Sequence, residues 1–321
     1  MPLFDRYIAV DWSAANTPRT GRDSIWIADS AAESVNPPTR HEAMAIITDR
    51  LLGARAAHQR VMLGFDFVFG YPEGAAAAIV AAFPEVAGTS PPTAPLAGEV
   101  AQLGASAAGE AGRGVWSDLW ATLHQLVIDN PDNTSNRFQV AAAINARLAA
   151  PHYWGHPHQH RYDHLSPRRP AAYAGVPERR RAEILARTAQ PVWKLTGAGA
   201  VGSQSMLGIA RLEALRHHPI LGPDIAIWPF ETAFAGALER PIAVVEIYPS
   251  LFPLDDPSVT PKDRAQVETC IRRFATLDAA GDLATFLAAP ADLSPAEREI
   301  ILREEGWIAG IGHPSAARQA A

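Results

Sequence analysis

A single cysteine, Cys270, is all that 321 residues contain. One thiol excludes an intrachain disulfide and any cysteine-rich zinc site. An excess of basic charge is missing too: 28 Lys and Arg face 34 Asp and Glu, a net −6, with a pI near 6.0. That balance excludes an overall electrostatic pull toward nucleic acid and leaves only a local basic surface to supply one. Long apolar runs are lacking. Residues 74–83 form the longest, about half of the roughly 20 residues that a spanning helix needs. The opening Met-Pro-Leu-Phe-Asp-Arg-Tyr has no basic segment followed by an apolar one, the mark of a secretory leader. A cytoplasmic protein with no membrane partner is therefore expected. There is no internal repeat, and nothing fixes an oligomeric state. What the chain does have is 48% hydrophobic residues, enough for a substantial core.

Three of its apolar runs end in an acid: Asp11 in Tyr-Ile-Ala-Val-Asp, Asp66 in Val-Met-Leu-Gly-Phe-Asp, and Glu246 in Ile-Ala-Val-Val-Glu. Strands are expected at residues 7–11, 24–28, 60–67, 225–229 and 242–248, from β-rich composition and flanking turn chemistry. Helical spacing marks residues 41–57, 116–128, 136–149, 177–189, 205–217, 262–276 and 295–305. The order strand, strand, helix, strand fits an α/β chain with a mixed sheet under helical cover. Residues 89–96, rich in Pro, Ser and Thr, read as a linker, and 97–114, mostly Ala and Gly, as a loose helix or loop. Residues 1–84 and 196–321 thus form the expected core. Residues 85–195 form a mostly helical insertion, rich in Pro, Arg and His, over one edge of it.

In an open sheet, the C-terminal ends of parallel neighbours point into one crevice. Asp11 and Asp66 at such ends would share a cation, and Mg²⁺ or Mn²⁺ needs only a few hard carboxylate oxygens besides water. Two such ions activate water and stabilise the leaving oxygen in phosphodiester hydrolysis. The bland reading has Asp11 capping a turn and Asp263 meeting a helix dipole. Under it, Glu246 pairs with an arginine of the insertion. Asp66, between Phe65 and Phe67, is the costliest to bury unpaired.

These motifs, in this order, resemble an uncharacterised bacterial family of predicted RNase H-like nucleases. The family opens with a strand ending in Val-Asp, matched by Asp11. It continues with an acidic residue before a Gly-x-Pro-like turn, matched by Asp66 and Gly70-Tyr71-Pro72. Later it shows Glu-x-Tyr-Pro, matched by Glu246-Ile247-Tyr248-Pro249. Its His-Asp-x-x-Asp-Ala helix start is matched by Lys262-Asp263-Arg264-Ala265-Gln266-Val267, and a Glu-Glu-Gly-Trp-Ile run begins at Glu304. The match covers both outer thirds of the chain. It implies an RNase H-like fold with Asp11, Asp66, Glu246 and Asp263 as catalytic and metal-ligating acids. Gln266 stands where the family carries a second helix aspartate, and so removes charge from the site. Two other classes stay open. One is an actin-like or sugar-kinase-like ATPase, whose first strand also ends in Asp. The other is a non-catalytic binder, with a link to cobalamin or molybdopterin cofactor metabolism suggested by labels on similar sequences.

Phosphate contacts are expected from the glycine-rich loop. Gly197, Gly199 and Gly202 precede Ser203 and Gln204, with Lys194 just upstream, and backbone N–H groups at a helix start hold anions. No Gly-Lys-Ser/Thr follows, so this is no Walker motif, and a capped tight turn is the alternative. Between Arg161 and Lys194 eight basic residues, Arg179 and Arg180 among them, face Asp163, Glu178 and Glu183. This is the one stretch able to attract nucleic acid. Tyr153, Trp154, Tyr162 and Tyr173 are candidates for stacking on bases. His152, His156, His158, His160 and His164 crowd one loop without a closed zinc spacing.

Overall fold

The computed structural model describes residues 1–86, 114–235 and 239–313. The expected linker at 89–96 and nearly all of the Ala/Gly-rich stretch at 97–114 lie outside the described residues. The first strand β1 (Arg6–Asp11) turns into β2 (Trp26–Asp29) and β3 (Ala32–Val35). Helix α1 (Arg40–Ala56) then leads to β4 (Val61–Phe65) and α2 (Ala75–Ala82). Helices α3 (Val115–Leu126), α4 (Arg137–Arg147), α5 (Arg181–Leu185) and α6 (Val201–Arg216) follow. Strands β5 (Ile225–Ile227) and β6 (Ile242–Glu246) complete the sheet. Helices α7 (Lys262–Ala280), α8 (Leu283–Leu287) and α9 (Pro295–Ile300) close the described chain, α9 running on as a π-helical turn at Ile301–Glu305.

Among the described residues, six strands form one mixed sheet in the order β3-β2-β1-β4-β6-β5. Strands β3, β2 and β1 are antiparallel neighbours, whereas β4, β6 and β5 run parallel to β1. The pleat sorts side chains between two cores, because successive residues point to opposite faces. Ile8, Val10, Leu63, Phe65 and Val244 join the core beneath α1, α3 and α6. Tyr7, Ala9, Met62, Ala243 and Val245 join the core beneath α7 and α8. Trp116, Trp120, Leu123, Phe138 and Ile144 from α3 and α4 belong to the first core with β1 and β4, so the middle of the chain shares the core of the sheet, packing on α2 and α6. Among the described residues, no helix is long and apolar enough to cross a membrane.

Local chemistry explains the elements. Thr39 caps α1 by accepting the Glu42 N–H at 3.1 Å, and Ala43, Ile47, Leu51 and Ala54 make its buried stripe. The expected strands and long helices appear within a few residues of their expected ends. Helix α6 starts at Val201 rather than 205, taking the end of the glycine loop into its first turn. The expected basic helix at 177–189 shrinks to Arg181–Leu185. Strand β3 and helices α2 and α8 were not anticipated.

Candidate active site

Strands β1, β4 and β6 end on the same side of the sheet, and a cleft of about 980 Å³ opens beyond them, the usual ligand position in such sheets. Asp11 and Asp66 sit half-buried at its floor. Val10 pairs with Phe65 across the ladder, and the Asp66 N–H continues it to the Val10 carbonyl, so the two aspartates come side by side. The Trp12 N–H donates to Asp66 Oδ1 at 2.7 Å, and the Asp11 carboxyl is hydrogen-bonded to that of Asp66.

Both carboxyls hold protons unusually tightly. Burial comes first for Asp11, followed by the charges of Asp66 and Asp263, and together these raise its pKa well above the ordinary range. Burial pushes Asp66 up to about 6 against the lowering effect of the Trp12 N–H and the Asp11 hydrogen bond. Two adjacent carboxylates without a cation resolve their repulsion by sharing a proton. Asp263 approaches from the first turn of α7, where its Oδ2 accepts the Asp23 N–H at 2.7 Å. Gln266 lines the same wall.

Glu246 has a different neighbourhood, and the pleat is the reason. It lies opposite Phe65, on the sheet face that carries Phe65 and Val244, while the position level with Asp66 is Ile247, buried in the other core. Glu246 is therefore one residue out of phase with the aspartates. Its oxygens take Arg180 Nη2 at 2.6 Å and Nη1 at 2.9 Å, and Oε2 also takes the Phe69 N–H at 2.9 Å. Arg180 is fully buried and spends its other donors on Glu183 Oε1 and the Glu305 carbonyl. Gly70 lets this corner close: a Cβ there would stand 2.2 Å from the Glu305 carbonyl oxygen. Glu246 and Arg180, expected as a metal ligand and a phosphate contact, are thus partners of each other.

The glycine loop is tied inward as well. Lys194 Nζ donates to the Ala198 carbonyl at 2.5 Å, and Ser203 Oγ to the Leu195 carbonyl at 2.7 Å. Gln204 Nε2 donates to the Trp12 carbonyl. Gly202 packs so close to the Val192 carbonyl that a Cβ would sit 2.1 Å from its oxygen, whereas Gly199 serves a left-handed turn at φ +68°. Arg179 donates to the Ala189 carbonyl at 2.6 Å, Arg169 pairs with Glu178, and Arg181 pairs with Glu305 and Glu73. Of the eight basic residues, Arg169, Arg180 and Arg181 thus meet carboxylates and Arg179 and Lys194 are held by carbonyls, leaving Arg161, Arg168 and Arg187 exposed. Tyr153 is buried against Tyr71 and Trp193. His152 and His156 are buried on backbone carbonyls. Among the described residues, no group of three or more His, Cys, Asp or Glu is placed to hold a metal ion.

One cleft residue escaped the sequence reading. Arg137, the first residue of α4, is buried and lines the cleft. A cation in the first turn runs against the helix dipole, and that was the available signal. No family model, no curated protein and no solved structure matches this chain.

Proposed function

We propose that the chain is a cytoplasmic, divalent-metal-dependent phosphodiester hydrolase with an RNase H-like fold, acting on nucleic acid. The observation that carries this reading is the Asp11–Asp66 pair: two desolvated carboxyls in contact at the floor of a cleft, with Asp263 adding negative charge. The fold reading is supported by an antiparallel β3-β2-β1 meander that continues into parallel β4 and β6. The donor set fits Mg²⁺ or Mn²⁺, which takes one or two protein carboxylates and completes its shell with water and substrate phosphate. Asp11 and Asp66 would hold the ion after giving up their shared proton. When bound, the ion supplies polarisation of the phosphoryl oxygen and an activated water. Asp263 would orient that water across the cleft. Glu246 would act as a positioning residue, fixing the Phe69 turn next to Asp66 through its bond to the Phe69 N–H. Exposed Arg161, Arg168 and Arg187 offer the basic surface for the strand beyond the cleft.

Calorimetry with Mn²⁺ and Mg²⁺ on the wild type and on Asp11→Asn/Asp66→Asn tests this. Saturable binding that the double variant loses, followed by cleavage of single-stranded, duplex or hybrid substrates, is the expected result. A non-catalytic binding role is favoured by the lack of a third ligand among the described residues and by neutral Gln266. That role predicts identical titrations for both proteins.

A further inference from the structure

Four arginines are at least nine-tenths buried among the described residues: Arg6, Arg40, Arg137 and Arg180. Three of them meet a carboxylate, at 2.5 Å for Arg6 and Asp29, 2.6 Å for Arg40 and Asp129, and 2.6 Å for Arg180 and Glu246. Arg137 meets none. Its Nε donates to Ser203 Oγ at 3.1 Å, and its Nη1 to Asn16 Oδ1 at 2.9 Å and Ser135 Oγ at 2.7 Å. Among the described residues nothing accepts from Nη2. Asp129, the acid whose charge acts most on it, is already held by Arg40 and by Arg211 at 2.9 Å. Two guanidiniums therefore share that carboxylate, and Arg137 is left without it. Burying a cation without an anion is costly, and here burial, with Arg40 adding repulsion, pushes the Arg137 pKa down to about 10.

A second observation points the same way. Ser203, the acceptor for Arg137 Nε, lies in the first turn of α6, which has no acidic residue in that turn and no side-chain cap. Ala198, Gly199 and Ala200 at this end line the same cleft as Arg137. The positive end of a 16-residue helix and an uncompensated guanidinium thus border one space.

We infer that Arg137 and the N-terminal turn of α6 form an anion seat in the cleft, taking a substrate phosphate other than the one at the aspartates. Its identification as phosphate rests on the hydrolase reading; the seat itself rests on the missing counter-ion. Arg137 would bind with its free Nη2 edge, with the loop at Ala198–Ala200 closing over the anion. Ser203 holds the guanidinium in place from behind, because its own proton is spent on the Leu195 carbonyl.

The probe is inorganic phosphate, titrated by calorimetry in EDTA at constant ionic strength. Wild type is expected to bind saturably and Arg137→Gln to bind at least about tenfold more weakly, the value of one charge-assisted hydrogen bond. Arg137→Lys should fall between them. Arg55→Gln, which removes an exposed charge paired with Asp224, should match wild type. Absence of saturable binding in wild type, or equal binding by Arg137→Gln, overturns the seat. Should Arg137→Gln fail to fold, the wild-type Arg137 Nε–H resonance, assigned against Arg137→Lys, decides. It must move during the phosphate titration, and an unmoved resonance overturns the proposal. With metal excluded, loss of phosphate binding leaves the Asp11–Asp66 reading standing, and loss of Mn²⁺ binding leaves the seat standing.

Discussion

Two clusters of acids border the cleft, and they are solved in opposite ways. Around Arg180, the carboxylates Glu183 and Glu246 are each met by a guanidinium donor, and Glu305 takes Arg181. Around Asp11, three aspartates face one another with no cation in contact among the described residues, and two of them are driven toward the protonated state. The first cluster is buried, satisfied and structural. The second is half-exposed and strained by like charge, a condition that costs stability unless a ligand repays it. Residue type does not separate them, since all are acids near strand or helix ends. What separates them is whether the fold itself supplies the opposite charge.

Breaking the satisfied cluster should have the largest effect. Arg180→Ala strands Glu246 and Glu183 without their partner, and removing one member of a buried ion pair costs about 3–5 kcal/mol. Urea denaturation should show that loss directly. A loss below about 1 kcal/mol would mean that the Arg180 cluster is not the anchor described. The strained cluster should respond to ligand instead. Mn²⁺ at a hundredfold excess over its dissociation constant should raise wild-type stability by about 2.7 kcal/mol. Asp11→Asn/Asp66→Asn should show no such gain, and a gain of equal size in that variant would place the ion elsewhere.

Proton linkage gives the next, smaller test. An unfolded aspartate titrates near 3.9, whereas Asp66 in the fold releases its proton at about 6. A raised folded pKa stabilises fully below about pH 4 and loses that stabilisation as pH rises through about 6. Metal-free wild type should therefore lose stability across this window, and Asp66→Asn should show a flatter profile. Saturating Mn²⁺ should also flatten the wild-type curve, since the ion then takes the place of the shared proton. Melting temperature against pH, with and without Mn²⁺, reads all three.

The aspartate cluster was legible in the sequence because it follows from strand ends. Continuous apolar runs made β1, β4 and β6 visible, and parallel neighbours bring their last residues together. Glu246 also ends a strand, but the pleat, counted from Phe65 across to Glu246, puts it out of phase with the aspartates, and it takes the alternative left open in the sequence, a pairing with an arginine of 85–195. Its partner Arg180 is 66 residues away in sequence, a pairing no local pattern specifies. Strand β3 was invisible for another reason. Ala-Glu-Ser-Val lies at the sheet edge with none of its residues buried, so burial imposed no apolar alternation on it. Arg137 carried a faint signal, a cation against a helix dipole, but its missing counter-ion is a property of three dimensions. The same holds for Lys194 and Ser203, whose turn inward depends on the path of the loop.

The finest test returns to the strained cluster and sharpens it. Gln266 lies one turn past Asp263 on α7 and lines the same wall of the cleft. Gln266→Asp adds a carboxylate there. Without metal, a second like charge three residues along a helix should cost about 0.2–0.5 kcal/mol, a small downward shift in melting temperature at neutral pH. With Mn²⁺ the added charge should strengthen binding several-fold, on the order of 1 kcal/mol, because another hard oxygen then faces the ion. The two effects have opposite signs and come from one substitution, so calorimetry and thermal melting on the same sample separate them. A destabilised variant whose Mn²⁺ affinity is unchanged would show that α7 contributes repulsion to the cleft but no ligand, and would confine the ion to Asp11 and Asp66.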